Sequence, residues 1–318
     1  MKPKCLVIGD LNIDLIVGNL NGFPEFGKEI LAKDFIFSIG GSGGIFTAVL
    51  SKLGVKTSII SKIGDDFLGN YLIAEMKKYE TDTKNVIVEN SHETGITISL
   101  SYEKDKSQIS KLDLIKSLKI NEISFNNLEN FRHVHFASYY MMDNLKKSYV
   151  DIIKKIKKKI YNVTFSLDTN DDPEDIWGNE IYDIFKNIDI LFLNKKEALK
   201  ISKETNVKNA ADKLSAYTDT VIIKMGKEGY FAKIDKEYFE EKCINILNKN
   251  FKDGTGSGDN FDAGFIYGFI NNFGKAKSLN FANFCGEKSV EFLSGAGPEE
   301  KFQQLKNHIK LYNQDVKS

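Results

Sequence analysis

The side chains best suited to moving a phosphoryl group lie together in Lys252-Asp253-Gly254-Thr255-Gly256-Ser257-Gly258-Asp259. Glycines alternate there with small hydroxyl residues. An apolar pattern at helical spacing follows, through Phe261, Phe265, Ile266 and Phe269. A glycine-rich turn that opens a helix leaves backbone N–H groups unpaired at the positive end of the helix dipole. That arrangement holds anions, phosphate above all. Asp259 adds a carboxylate beside the anion, where a pure phosphate binder gains nothing from it. A phosphoryl-transfer centre gains a base for the acceptor hydroxyl. The competing reading is an ordinary Gly-rich turn with Asp259 as a dipole partner.

Other residues invite the same two-sided reading. Asn12 and Asp14 stand two apart in an alternating stretch and so share a strand face. They can bind the hydroxyls of a polyol, although spacing alone favours a solvated face. The run Gly40-Gly41-Ser42-Gly43-Gly44 precedes a helix striped with Ile45, Val49 and Leu53. Its glycines let a ligand approach a free helix N-terminus, or else form a plain flexible loop. His133-x-His135 offers two imidazoles on one face, but no third metal ligand stands at a sensible spacing. A structural role is the better expectation for both.

These groups need elements to position them. Cys5 to Ile8 reads as a buried strand, and strands are expected at Glu29 to Phe37, Thr57 to Ile63, Val86 to Val88 and Thr94 to Tyr102. A helix is expected from Asp66 to Tyr79. Residues 103–130 are polar and weakly periodic and give no clear element. Leu145, Tyr149, Ile152, Ile153, Ile156 and Ile160 form a helical stripe, which makes Lys154 to Lys159 a solvated face. From Val163 the α/β rhythm is plain. Strands end at Asp168-Thr169-Asn170, at Asn194-Lys195-Lys196-Glu197 and at Met225-Gly226-Lys227-Glu228-Gly229. In an open parallel sheet, ligands bind beyond the strand C-termini. Phe231 to Ile234 and Tyr238 to Cys243 suggest a hairpin, and helices follow to the C-terminus. No linker or repeat divides the chain, so one α/β domain over residues 1–318 is expected. Segments at about 12–20, 29–38 and 94–102 would form a small β-sheet lid over the ligand.

Composition removes other classes. Lys plus Arg and Asp plus Glu both total 44, so no net field draws the chain to nucleic acid or to an anionic membrane. No segment has the length to span a bilayer, and the apolar run at Cys5 to Ile8 is too short for a signal peptide, so none is expected. Cys5, Cys243 and Cys285 are scattered and odd in number, which points to a reduced, cytoplasmic setting. Gly9 is not followed by the glycines of a dinucleotide fingerprint. Arg132 is the sole arginine, which speaks against a substrate bearing its own phosphate.

Four motifs in order give the chain a resemblance to the ribokinase-like, or PfkB, family of carbohydrate kinases. Gly40-Gly41 resembles the first signature of that family and Asp253-Gly254-Thr255-Gly256-Ser257-Gly258-Asp259 the second. Asn194-x-x-Glu197 and Gly226-x-x-Gly229 resemble its N-x-x-E motif and nucleotide loop. The resemblance spans essentially the whole chain. It implies a three-layer α/β/α sandwich with a mostly parallel central sheet and a small β-sheet lid. It further implies an ATP- and Mg²⁺-dependent kinase acting on a hydroxyl of a small sugar-like molecule. By the same resemblance Asp259 is the base, and the amides of Gly256, Ser257 and Gly258 form the anion hole. Asn194 and Glu197 order Mg²⁺ through water, while Lys224, Gly226, Gly229 and Asn283 border the nucleotide. Asp14, Asn12, Gly40 and Gly41 hold the substrate, and Asp253 contributes to a K⁺ site. A homodimer through an edge of the lid sheet also fits.

The chain departs from the family pattern at several positions. Gly254 and Ser257 replace a Thr and an Ala of the second signature, changes that leave its chemistry in place. Ile45 stands where many members carry a sugar-binding Asn, and Asp172 where many carry an Arg. An apolar side chain cannot make the hydrogen bonds of an amide. The acceptor identity therefore stays open between a sugar and a nucleoside, for which Phe35 or Phe37 would stack on the base, although a core or sheet role is the better expectation for both rings. A non-catalytic sensor is the remaining alternative.

Overall fold

Alternate residues of each buried strand feed two separate cores, which is why these strands read as unbroken apolar runs. Leu6, Leu191, Leu193, Val221 and Ile223 join one cluster, with the stripe of the helix Tyr149–Lys157. Cys5, Val7, Ile190, Phe192 and Ile222 join the other, with the helices Ser42–Lys52 and Ser257–Ile270. A sheet covered on both faces by helices is the three-layer sandwich expected. The computed structural model describes residues 4–18, 20, 22, 24–101, 106–243 and 251–315.

The strands are β1 Lys4–Ile8, β2 Asn12–Gly18, β3 Asp34–Gly40, β4 Lys56–Gly64, β5 Val86–Glu89, β6 Ile96–Ser101 and β7 Lys106–Lys111. They continue as β8 Phe131–Phe136, β9 Thr164–Asp168, β10 Ile190–Asn194, β11 Thr220–Lys224, β12 Tyr230–Ile234 and β13 Glu237–Glu241. The larger sheet has the order β13-β12-β11-β10-β9-β8-β1-β4-β5. All its neighbours pair in parallel except the β11–β12 and β12–β13 pairs. The expected hairpin after β11 therefore forms the edge of the main sheet.

The second sheet has the order β3-β2-β6-β7. Its second predicted strand begins at Asp34, not at Glu29, and its fourth strand, β7, falls in the stretch that gave no clear element. Only Ile109 is apolar among Lys-Ser-Gln-Ile-Ser-Lys, so β7 carries no hydrophobic signal. Asn19 and Tyr102, at the ends of two expected lid strands, lie outside the described residues.

The glycines at 264 and 268 set the distance between two helices that carry site residues. A Cβ on Gly264 would meet Cys285 Sγ at 2.8 Å, and one on Gly268 would meet Ser278 Oγ at 2.7 Å. The helix Lys275–Ser289 can therefore lie close along Ser257–Ile270.

Candidate active site

The C-terminal ends of β9, β10 and β11, the lid and the glycine-rich loop enclose a cavity of about 790 Å³. Its wall brings together Asn12, Asp14, Gly41, Asn194, Glu197 and Lys224, and also Gly226, Gly229, Asn283 and the loop from Gly256 to Asp259. Two expected residues do not reach the wall. Gly40 sits behind Asp14, where a Cβ would fall 2.2 Å from Asp14 Oδ1. Asp253 is buried behind the loop, its Oδ1 accepting from Thr255 Oγ1 at 3.1 Å and Ser101 Oγ at 3.3 Å.

Gly256 caps the helix Ser257–Ile270 at φ 73°, a left-handed conformation suited to glycine, and no side chain occupies the cap. The Ser257 N–H turns back to the Gly254 carbonyl at 3.3 Å. Among the described residues the amides of Gly256, Gly258 and Asp259 have no carbonyl partner. Of the three amides expected to face an anion, Ser257's is therefore taken up by a carbonyl and those of Gly256 and Gly258 are not. The Asp259 carboxylate lines the cavity. Burial first, then the neighbouring Asp168 carboxylate, push its pKa up to about 7 against the pull of Lys224.

Lys224 stands under this loop, 2.5 Å from Asp168 Oδ2 and 2.8 Å from Asp262 Oδ2. A Cβ on Gly258 would lie 3.2 Å from its Nζ. Burial works to raise Asp168, but the ammonium overrides it and holds the carboxyl below its ordinary value. Asp262, further buried, is driven well above that value. Asn194 caps its helix by accepting from the Glu197 N–H at 2.9 Å, and Glu197 Oε2 accepts from the Asn194 N–H at 2.8 Å. Burial first, then Asp168, raise Glu197 to about 7. The N-x-x-E spacing therefore both caps the helix and presents Asn194 and Glu197 to the cavity.

The other Gly-rich loop behaves differently from expectation. Its helix N-terminus is not free for a ligand. Asp10 Oδ1 accepts from the Gly43 N–H at 2.8 Å and Oδ2 from the Ser42 N–H at 3.2 Å. Asp10 itself lines the cavity and went unseen in the sequence, since its partners lie some thirty residues away. The solvated-face reading of Asn12 and Asp14 is also overturned. Both are buried, and Asn12 Nδ2 donates to Asp14 Oδ1 at 3.2 Å and Thr97 Oγ1 at 3.3 Å. Ser110 of β7 continues the row, 2.9 Å from Thr97 Oγ1.

Ile45 packs against the loop: its Cδ1 would lie 2.4 Å from a Cβ on Gly295, while a Cβ on Gly256, whose φ is 73°, would lie 2.7 Å from the Gly295 Cα. Asp172 points away from the cavity and accepts from the Ile176 and Trp177 N–H groups at 2.9 and 2.8 Å. Phe35 and Phe37 lie on the outer face of the lid, 61% and 43% exposed, and stack on nothing in the cavity. His133 and His135 are buried, bonded to Ser166 at 2.7 Å each, and burial lowers both to about 3. Among the described residues no group of three or more His, Cys, Asp or Glu side chains is placed to hold a metal ion.

Comparison with known proteins sets this geometry in a family. A family model described as pfkB family carbohydrate kinase matches residues 2–301. An ATP-dependent 6-phosphofructokinase of Thermoanaerobacterium thermosaccharolyticum is 25% identical over 87% of this chain and 85% of its own. A cytidine kinase of Thermococcus kodakarensis is 25% identical over 83% and 87%. An E. coli protein described as a candidate ribokinase II, solved in complex with ATP and Mg²⁺, superposes with a TM-score of 0.81. It is 21% identical and the match covers 97% of this chain and 99% of that one. This last likeness establishes the ribokinase-like fold.

Proposed function

The chain belongs to the pfkB family of carbohydrate kinases, and from that premise we propose that it moves the γ-phosphate of ATP to a hydroxyl of a neutral, polyhydroxylated sugar. The observation that carries this reading is the Asp259 carboxylate on the cavity wall beside amides without carbonyl partners. Asp259 takes the hydroxyl proton as that oxygen bonds to phosphorus and the bridging oxygen leaves with ADP. The amides of Gly256 and Gly258 hold the charge that develops on the phosphoryl group. Gly226, Gly229, Lys224 and Asn283 border the nucleotide. The cavity fits a nucleotide–metal complex. A Cβ on Gly226 would meet nothing within 4 Å, and Asn194 and Glu197 offer the oxygens a hydrated hard cation takes. Mg²⁺, when bound, would neutralise phosphate charge there. Asp253 would serve a monovalent cation, a role supported by its buried Oδ2, which has no partner among the described residues.

The acceptor end favours an uncharged sugar. Asp10, Asn12, Asp14, Thr97, Gln108 and Ser110 line it with carboxylates, amides and hydroxyls. The cationic lining residues among those described are Lys224 and Lys227, and Lys224 is already paired with two carboxylates. Arg132 donates to the carbonyls of Glu129 and Phe131 at 3.0 Å and is not part of the wall. A phosphorylated or carboxylated acceptor would meet uncompensated negative charge. The same end presents no aromatic ring from Phe35 or Phe37 for a nucleobase. ADP release should therefore be fastest with neutral hexoses, pentoses or polyols, and EDTA should abolish it. A nucleoside as best acceptor would replace the sugar reading with the nucleoside one. Binding without ADP release across the panel would make the chain a sensor.

The same reading treats residues 1–318 as one kinase domain in a cytoplasmic setting, supported by three free thiols. Among the described residues no helix is long and apolar enough to cross a membrane. It also includes a homodimer through the lid. In place of an edge, the lid offers a face: Phe37, Leu15, Ile98 and Ile109 align across the four strands, with Phe35, Val17 and Leu100 beside them. Phe35, Phe37 and Ile109 are exposed. Light scattering should find a dimer, and Phe37→Asp should return it to a monomer. A monomeric wild-type chain at tens of micromolar would dispose of the dimer.

A further inference from the structure

Lys301 has no part in the transfer chemistry, yet it is wholly buried in the first turn of the helix Glu299–Asp315. A lysine there opposes both its own hydration and the helix dipole. Among the described residues no carboxylate is bonded to it. Its Nζ donates instead to Asn260 Oδ1 at 2.7 Å and to the Ala296 carbonyl. Burial lowers its pKa to about 7. Asn260 is equally buried, and its Nδ2 donates to the Gly256 and Gly295 carbonyls, each at 2.7 Å. An amide placed between two carbonyls and one amine has only one productive orientation. Lys301 fixes that orientation, since an oxygen facing the amine puts the NH₂ on the two carbonyls.

Gly256 is the left-handed residue on which the amide-rich turn pivots. The segment at the other end of the clamp, Ser294 to Gly297, is braced in turn. Ser294 Oγ lies 2.7 Å from Ser38 Oγ of lid strand β3, and the Gly297 carbonyl accepts from Tyr79 OH at 2.7 Å. A Cβ on Gly297 would sit 2.8 Å from Lys301 Cδ, so glycine there makes room for the lysine stem. A buried amine that breaks local rules and ends on one loop is the mark of a functional constraint.

We propose that Lys301, acting through Asn260, is a positioning residue that holds Gly256 and hence the anion-hole amides in register with Asp259. This inference rests on the kinase reading for its catalytic half only. Its test uses two readouts on the full chain. In Lys301→Met, hydrogen exchange in peptides spanning 256–262 should quicken by about tenfold, because the Asn260 N–H bonds the Gly256 carbonyl that the clamp secures. Exchange across Tyr149–Lys157 should not change. Turnover should fall by about 10- to 100-fold while KM for acceptor and ATP stays within about twofold. Lys301→Gln, which retains a donor, should recover most of both. Should Lys301→Met fail to fold, Asn260→Ser cuts the same chain at its next link and is read identically. Exchange at 256–262 equal to wild type overturns the clamp whatever the turnover. A wild type without turnover refutes the kinase reading, and the exchange comparison still decides the clamp.

Discussion

Asp259→Asn should lower turnover by about 10²- to 10⁴-fold, the range a positioned base supplies, while ATP binding stays near that of the wild type. The amide keeps the size and hydrogen-bonding shape of the carboxyl but cannot accept the hydroxyl proton. A second signature separates this from a binding defect. With Asp259 raised to about 7, kcat/KM of the wild type should climb with pH and level off above about 7. That limb should vanish in the variant. Stability should move the opposite way. Asp259 stays protonated in the folded chain between its ordinary 3.8 and about 7, while the unfolded chain has already lost that proton. The folded state then binds more protons, so stability falls as pH rises through that window. Asp259→Asn removes this fall, and its Tm at pH 8 should exceed the wild-type value. Undiminished turnover in the variant would take Asp259 out of the base role.

Lys224→Met should be the most destabilising single change in the site, by about 3–5 kcal/mol. The ammonium is the partner that both buried carboxylates share, at 2.5 and 2.8 Å. Without it Asp168 loses the charge that holds it low, and its pKa should rise above the unfolded value. A carboxyl raised in this way is tolerated when protonated and penalised when ionised. The deficit in urea midpoint should therefore be small near pH 5 and large near pH 8. A deficit under about 1 kcal/mol at both would show that the carboxylates do not depend on Lys224.

How much of this was legible depended on how local each feature is. The glycine-rich loop with Asp259, the pair Asn194 and Glu197, and the turn from Gly226 to Gly229 are set by neighbours a few residues apart; spacing singled out the first, family resemblance the other two, and all three line the cavity. The buried strands were legible as short apolar runs alternating with helical stripes, and the three-layer sandwich through the family resemblance. Asp10, Asp262 and Lys301 were not, because each takes its meaning from partners brought close only by the fold. Strand β7 was hidden for a different reason. Its cavity-facing side chains, Gln108 and Ser110, are polar by need, and its outer face retains only Ile109. A strand that serves a ligand on one side forfeits the pattern by which strands are read. Phe35 and Phe37 read better as sheet residues than as a stack for a base, and β3 carries both, turned outward by the pleat.

The second sheet is hydrogen-bonded within itself, through the β2–β3, β2–β6 and β6–β7 ladders, and it carries Asn12, Asp14, Thr97, Gln108 and Ser110. The transfer loop belongs to a helix embedded in the opposite half of the chain. Inheritance can therefore treat the two as separate modules. On the proposed reading, side chains of the lid can drift through many generations while the glycine-rich loop is copied unaltered, and one scaffold can be handed from metabolite to metabolite without ever losing its trade.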